Sequence, residues 1–237
     1  MLTFLARLAP LQYWLFVVAT LALVAFMAYA TYRSARLLDH WPATLNPLLH
    51  PGENAFRLLL ILLCFGLGWM STLSPAQLGW RWSATPLELV LGVGAGLLLA
   101  LIYYWSTRWV MARTGLRFYS TKLIRLIVPR NRREFAVMLL VMLTVVLVEE
   151  LLFRSLLIGG LMPLVPAWAL VVASSVIFGL MHSPQGLWGM LGVSLGGLLL
   201  GWMFVATGSL VMPLVCHYVT NMAQIAAAYR LQRLGLL

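Results

Sequence analysis

Residues 135–159 read FAVMLLVMLTVVLVEELLFRSLLIG, and the medium that surrounds this stretch decides the fold. No charge interrupts it until Glu149 and Glu150, and Arg154 follows four residues later. About 20 apolar residues cross the hydrocarbon core of a bilayer. They cross as a helix, because no backbone group is left unpaired in lipid. An ionisable group at bilayer depth costs roughly 2.5–3.5 kcal/mol on insertion scales, so three of them in one span require partners and a task.

The rest of the chain agrees with this reading. Its 237 residues are 62% hydrophobic and 9% charged, with a mean hydropathy of +0.95. A soluble domain carries about 25% charged residues, so the polar surface needed to face water is missing. Six further apolar stretches, 11–31, 55–73, 87–107, 165–182, 187–206 and 209–228, accompany 135–159. The expected fold is therefore an all-α polytopic membrane bundle of about seven transmembrane helices. It forms a single unit comprising residues 1–133 (N-terminal helices and a basic loop), 134–228 (the core with the polar residues) and a short tail, 229–237.

The net charge of +10 does not point to nucleic acid, since the basic residues cluster in loops beside spans. Between the third and fourth spans lie Arg108, Arg113, Arg117, Lys122, Arg125, Arg130, Arg132 and Arg133 against Glu134. Putting this loop in the cytoplasm brings Arg33, Arg36, Arg57, Arg230 and Arg233 there too, with only Arg7 and Arg81 opposite. The orientation expected is N-out, C-in. Trp80 and Trp82 would mark the outer interface, and Trp105 and Trp109 the inner one. Residues 116–132 fit either an interfacial helix or a plain basic loop. Arg7, the apolar run Leu11–Met27 and Ala28-Tyr29-Ala30 resemble a signal peptide, but the run exceeds the usual h-region of roughly 7–15 residues, so a retained span is expected. Cys64 and Cys216 lack CxxC spacing and read as packing residues. Gly92/Gly96, Gly192/Gly196 and Gly197/Gly201 are small pairs four apart, which let helix backbones approach closely.

Six polar side chains then remain to be explained: Glu149, Glu150, Arg154, His182, His217 and Asn221. Glu150 and Arg154, four apart, stack on one helix face as an ion pair. Glu149 sits about 100° round the helix, without a partner from its own segment, where it is placed to serve as a general base or acid. His182 ends the fifth span, where a lone histidine also reads as an interfacial or capping residue. His217 and Asn221, again four apart, are either two donors aimed at one oxyanion or interhelical hydrogen bonds. A base, a histidine and two donors on three helices are the parts of peptide-bond hydrolysis. Counted along straight helices at 1.5 Å per residue, Glu149 and His217 reach similar depth, and His182 lies nearer the cytoplasmic face.

The order EExxxR, FxxxH, HxxxN on the fourth, fifth and seventh spans resembles the CPBP family of CAAX proteases and bacteriocin-processing enzymes, also called Abi or Rce1-like. The likeness covers roughly residues 134–228, and the first three spans share only its general character. It implies that Glu149 and His182 activate a water, that His217 and Asn221 stabilise the oxyanion, and that Glu150 and Arg154 support them. It also implies a protein or peptide substrate at the membrane: relatives cleave prenylated CAAX tails, bacteriocin leaders or C-terminal sorting signals. Some members are named for bacteriocin immunity, so a non-enzymatic protein of the same fold is the competing reading. A proton-linked transporter is a third, without the inverted repeat such folds show. Glu149, His182 and His217 would supply three ligands to zinc, yet there is no HExxH helix. Asn221 suits an oxyanion donor better than a ligand, so the expectation is no cofactor. The expected location is a bacterial cytoplasmic membrane.

Overall fold

The computed structural model describes residues 11–37, 40–42, 45–81 and 85–235; Arg7 and Trp82 lie outside them. Among the described residues all regular structure is helical. The helices are α1 (Leu11–Leu37), α2 (Pro51–Met70), α3 (Pro86–Thr114), a short α4 (Lys122–Ile127), α5 (Arg132–Glu150), α6 (Ala167–Leu180), α7 (Gly186–Thr207) and α8 (Val211–Arg233). A π-helical stretch, Leu151–Gly159, continues α5 without a break. Single 3-10 turns stand at Pro47–Leu49 and Ser183–Gln185.

Seven of these elements stand at the seven predicted stretches. Five are long and apolar enough to cross a membrane: α1, α2, α3, α5 with its π-helical continuation, and α7 with the turn before it. The other two depart from the expectation for opposite reasons. α6 is apolar but has only 14 residues. α8 is long but carries His217, Thr220, Asn221 and Gln224. Leu59, Leu62, Leu98, Leu101 and Leu140 are exposed on the outside of the bundle, as suits faces that meet lipid.

Chemistry at the ends explains the boundaries. The Asn131 side chain accepts from the Glu134 N–H at 2.9 Å and starts α5. Thr85 and Glu88 form a capping box around the first turn of α3, with Pro86 at its first position. Such reciprocal bonds satisfy amides that no helix carbonyl can reach. Gly208 ends α7 with φ +60°. The loop from 116 to 132 folds one short helix, α4, intermediate between the two forms its sequence allows.

Missing side chains set the packing. A Cβ on Gly96 would lie 2.6 Å from the Cys216 carbonyl oxygen, and one on Gly92 would lie 3.0 Å from that of Met212. The backbones of α3 and α8 therefore run close together, and the Thr220 hydroxyl bonds the Gly96 carbonyl at 3.1 Å across the seam. Gly197 and Gly201 do the same between α7 and α6, facing Ser175 and Val171. Trp80 turns inward against Gly68 and the Phe65 ring. Trp105 and Trp109 are 61% and 59% exposed. Cys64 and Cys216 are free and buried.

The π-helical stretch is the centre of the molecule, and all nine of its residues are buried. A helix covered on every side must be enclosed by other helices. Here Ser155 bonds the Leu78 carbonyl at 2.8 Å, and Tyr13 of α1 reaches the Gly160 carbonyl just beyond at 2.8 Å.

Candidate active site

The junction of α5 with its π-helical continuation delivers the first three polar side chains. Arg154 donates from Nη1 to Glu150 Oε1 at 3.0 Å, with 2% of the arginine and none of the glutamate side chain exposed. The predicted ion pair is present, but it is not self-contained. The same Oε1 lies 2.7 Å from His217 Nδ1 on α8, so one carboxylate oxygen holds both the arginine and the histidine. Arg154 also reaches the Gly197 carbonyl of α7 at 3.4 Å and lies over the Phe178 ring of α6, 4.9 Å from its centroid. A guanidinium removed from water needs such an enclosure of acceptors and aromatic faces. Among the described residues, Glu150 Oε2 is buried with no hydrogen-bond partner.

Glu149 points elsewhere, as its place on the helix requires. Its side chain is 24% exposed, and its Oε2 lies 3.5 Å from His217 Nε2. His217 thus stands between two adjacent acids, one ring nitrogen toward each. The Nδ1 contact is short enough for a hydrogen bond donated to Glu150; the Nε2 separation from Glu149 is looser and lies at the limit of direct bonding.

His182 is positioned by Phe178. Its Nδ1 is 2.7 Å from the Phe178 carbonyl oxygen, an acceptor only, so Nδ1 carries the proton and Nε2 is left as an acceptor in the neutral ring. Its ring meets the Phe178 ring edge-on at 4.7 Å, and the His217 ring meets that same phenylalanine at 5.9 Å. α6 begins after Pro166 and ends at Leu180, and His182 folds back over its last turn. One aromatic ring therefore links both histidines and Arg154.

Asn221 stands one turn along α8 from His217, half-buried, with Nδ2 3.6 Å from Met142 Sδ on α5. A thioether is a weak acceptor. The amide is therefore directed toward α5, without a strong partner among the described residues. Glu149, Glu150, Arg154 and His217 are in direct contact, His182 joins them through Phe178, and Asn221 faces the same α5 from α8.

Of the three side chains named for zinc, Glu149 Oε2 and His217 Nε2 lie 3.5 Å apart, and His182 is held through Nδ1 by the Phe178 carbonyl. Among the described residues no three His, Cys, Asp or Glu side chains form a group that would hold a metal ion.

Three features escaped sequence reading. Glu150 orients His217 as well as pairing with Arg154; their sequence separation of 67 leaves no local signal. Phe178 acts as the hub, although it is the phenylalanine of the FxxxH pattern. The Gly197 carbonyl binds Arg154 from α7, and only the small-residue pair there hinted at close approach.

Residues 131–223 match the model of a family described as type II CAAX prenyl endopeptidase Rce1-like. The match begins at the Asn131 cap of α5 and ends two residues past Asn221, so it contains all six polar residues and leaves α1–α3 outside. No curated protein and no solved structure matches the chain.

Proposed function

Over residues 131–223 this chain belongs to the Rce1-like, CPBP family of membrane endopeptidases, and on that premise we propose that it hydrolyses a peptide bond of a membrane-associated protein or peptide with a glutamate-activated water. The long apolar helices and the family together make it an integral membrane protein. The observation that carries the reading is the contact of Glu149 and Glu150 on α5 with His217 on α8.

In the proposed reaction the Glu149 carboxylate takes a proton from a water, and His182 Nε2 accepts that water's second hydrogen to orient it. The water oxygen bonds to the scissile carbonyl carbon, and the carbonyl π pair moves onto oxygen. His217, which in this scheme carries both ring protons because its Nδ1–H is given to Glu150, turns Nε2–H from Glu149 to the new oxyanion, and Asn221 Nδ2–H, released from Met142, stabilises that charge with it. Collapse breaks the carbon–nitrogen bond, and Glu149 returns its proton to the leaving amine. Glu150 and Arg154 hold His217 in register throughout. No metal enters this scheme. The basic connector between α3 and α5 supports an N-out, C-in orientation, and a bacterial cytoplasmic membrane is the location proposed with it.

The test is the purified protein in lipid nanodiscs with Glu149→Gln beside it, substrates being found by comparing new protein termini in membranes with and without the chain. Loss of cleavage with unchanged folding supports the proposal. Full cleavage by Glu149→Gln would remove the assigned base, and a biological effect without any new termini would favour the non-enzymatic immunity or scaffold reading.

A further inference from the structure

A cavity of about 360 Å³ opens in the connector between α3 and α5, lined by Leu116, Tyr119, Ser120, Thr121, Lys122 and Arg125. We infer that this cavity binds the phosphate headgroup of an anionic phospholipid. It presents two cations and three hydroxyls with no acid among its lining residues. Lys122 and Arg125 are three apart and both exposed on α4, so they share one face. The Tyr119 phenol is a hydrogen-bond donor at neutral pH, and burial pushes it further above its ordinary value. The surrounding chain, from Arg108 to Arg133, is strongly basic. Clusters of this kind beside transmembrane helices attract anionic headgroups.

Lipid is favoured over a free anion by what borders the cavity. Leu116 is 58% exposed and forms part of the wall. Trp105 and Trp109, exposed on the last turns of α3, lead toward it, and such rings settle at headgroup level. A phosphodiester entering among the hydroxyls would leave its acyl chains beside Leu116 and Trp109.

The cavity also adjoins the turn that carries His182. Ser120 donates its N–H to the Gln185 carbonyl at 3.0 Å, Trp188 donates to the Phe118 carbonyl at 2.8 Å, and Gln185 donates to the His182 carbonyl at 3.0 Å. Gly186 at φ +81° lets the two segments touch, since a Cβ there would meet the Phe118 carbonyl oxygen at 2.8 Å. A bound headgroup would therefore stiffen the segment from 118 to 188. The binding itself needs only the membrane setting and is independent of the endopeptidase assignment.

Native mass spectrometry of the full chain released from micelles with phosphatidylglycerol or phosphatidylcholine tests this. The parent protein should retain phosphatidylglycerol at least fivefold over phosphatidylcholine. Lys122→Gln with Arg125→Gln should cut that retention at least fivefold. Arg113→Gln, a basic neighbour outside the cavity, should change it less than twofold, and the charge-keeping pair Lys122→Arg with Arg125→Lys should bind as the parent does. Equal retention by the Gln pair, equal loss in Arg113→Gln, or loss in the charge-keeping pair would overturn the site. Displacement of the lipid by inorganic phosphate at matched concentration would overturn the lipid as its occupant.

Discussion

Of the apolar stretch in α3, 17% is buried within the bundle; in α2 the share is 22%, while in α5 with its π-helical continuation it is 44%. The first helices spend most of their surface on lipid and carry few polar groups inward. The later helices spend theirs on one another, and the buried ion pair and both site histidines lie there. Where a chain encloses a helix on all sides, it can afford an arginine and a glutamate with almost no exposure. Where helices face lipid, glycine seams, end caps and a few buried contacts such as Tyr13 to the Gly160 carbonyl fix them. The division also coincides with the family match, which starts at Asn131.

Substitutions in the two regions should therefore act in different currencies. Glu149→Gln, which keeps shape and removes the base, should lower cleavage by about 10²–10⁴-fold with an unchanged melting temperature, measured on the same nanodisc sample. A parallel drop in melting temperature would make Glu149 a structural acid instead. Arg154→Ala strands Glu150 and His217 without their cation and should destabilise by about 3–5 kcal/mol, seen as early melting or failed accumulation. Near-parental stability there would mean that the enclosed network contributes little to folding.

The first half should respond through geometry alone. Gly96→Ala forces a methyl against the Cys216 carbonyl and should cost about 1–3 kcal/mol. Gly94→Ala, with nothing within 4 Å of its added carbon, should be near neutral in the same thermal assay. Equal effects at both would dissolve the seam argument. Thr85→Ala removes half of the capping box and should cost about 1 kcal/mol; a larger loss would show that α3 depends on its first turn more than on α8.

Hydropathy made the helices legible, because lipid imposes one rule on every outward face. It misjudged their ends. α1 runs on to Leu37, α3 to Thr114 and α8 to Arg233, since helices continue into the headgroup region on arginine-bearing turns that an apolar window cannot see. The spacing EExxxR showed which two residues pair, because neighbours on one helix are a local matter. The double use of Glu150 by Arg154 and His217 was not legible, since it depends on how α5 and α8 cross. Nor was the inward turn of Trp80, which the absent side chain of Gly68 permits. The fate of Asn221 lay between these cases: its face was predictable, but its rest position beside Met142 Sδ was not.

The wide turns between Leu151 and Gly159 constrain chain length as well as identity. An i→i+5 pattern takes up more residues per turn than an α-helix. Deleting Leu157 would draw Leu161 into the place where Gly160 now lies against the Phe16 ring with no room for a Cβ, and would bring a side chain where none fits. The phase of everything downstream to α6 would slip by about 100°, carrying Phe178 away from the arginine it covers. In this segment a single-codon deletion should be more damaging than almost any exchange of one apolar residue for another.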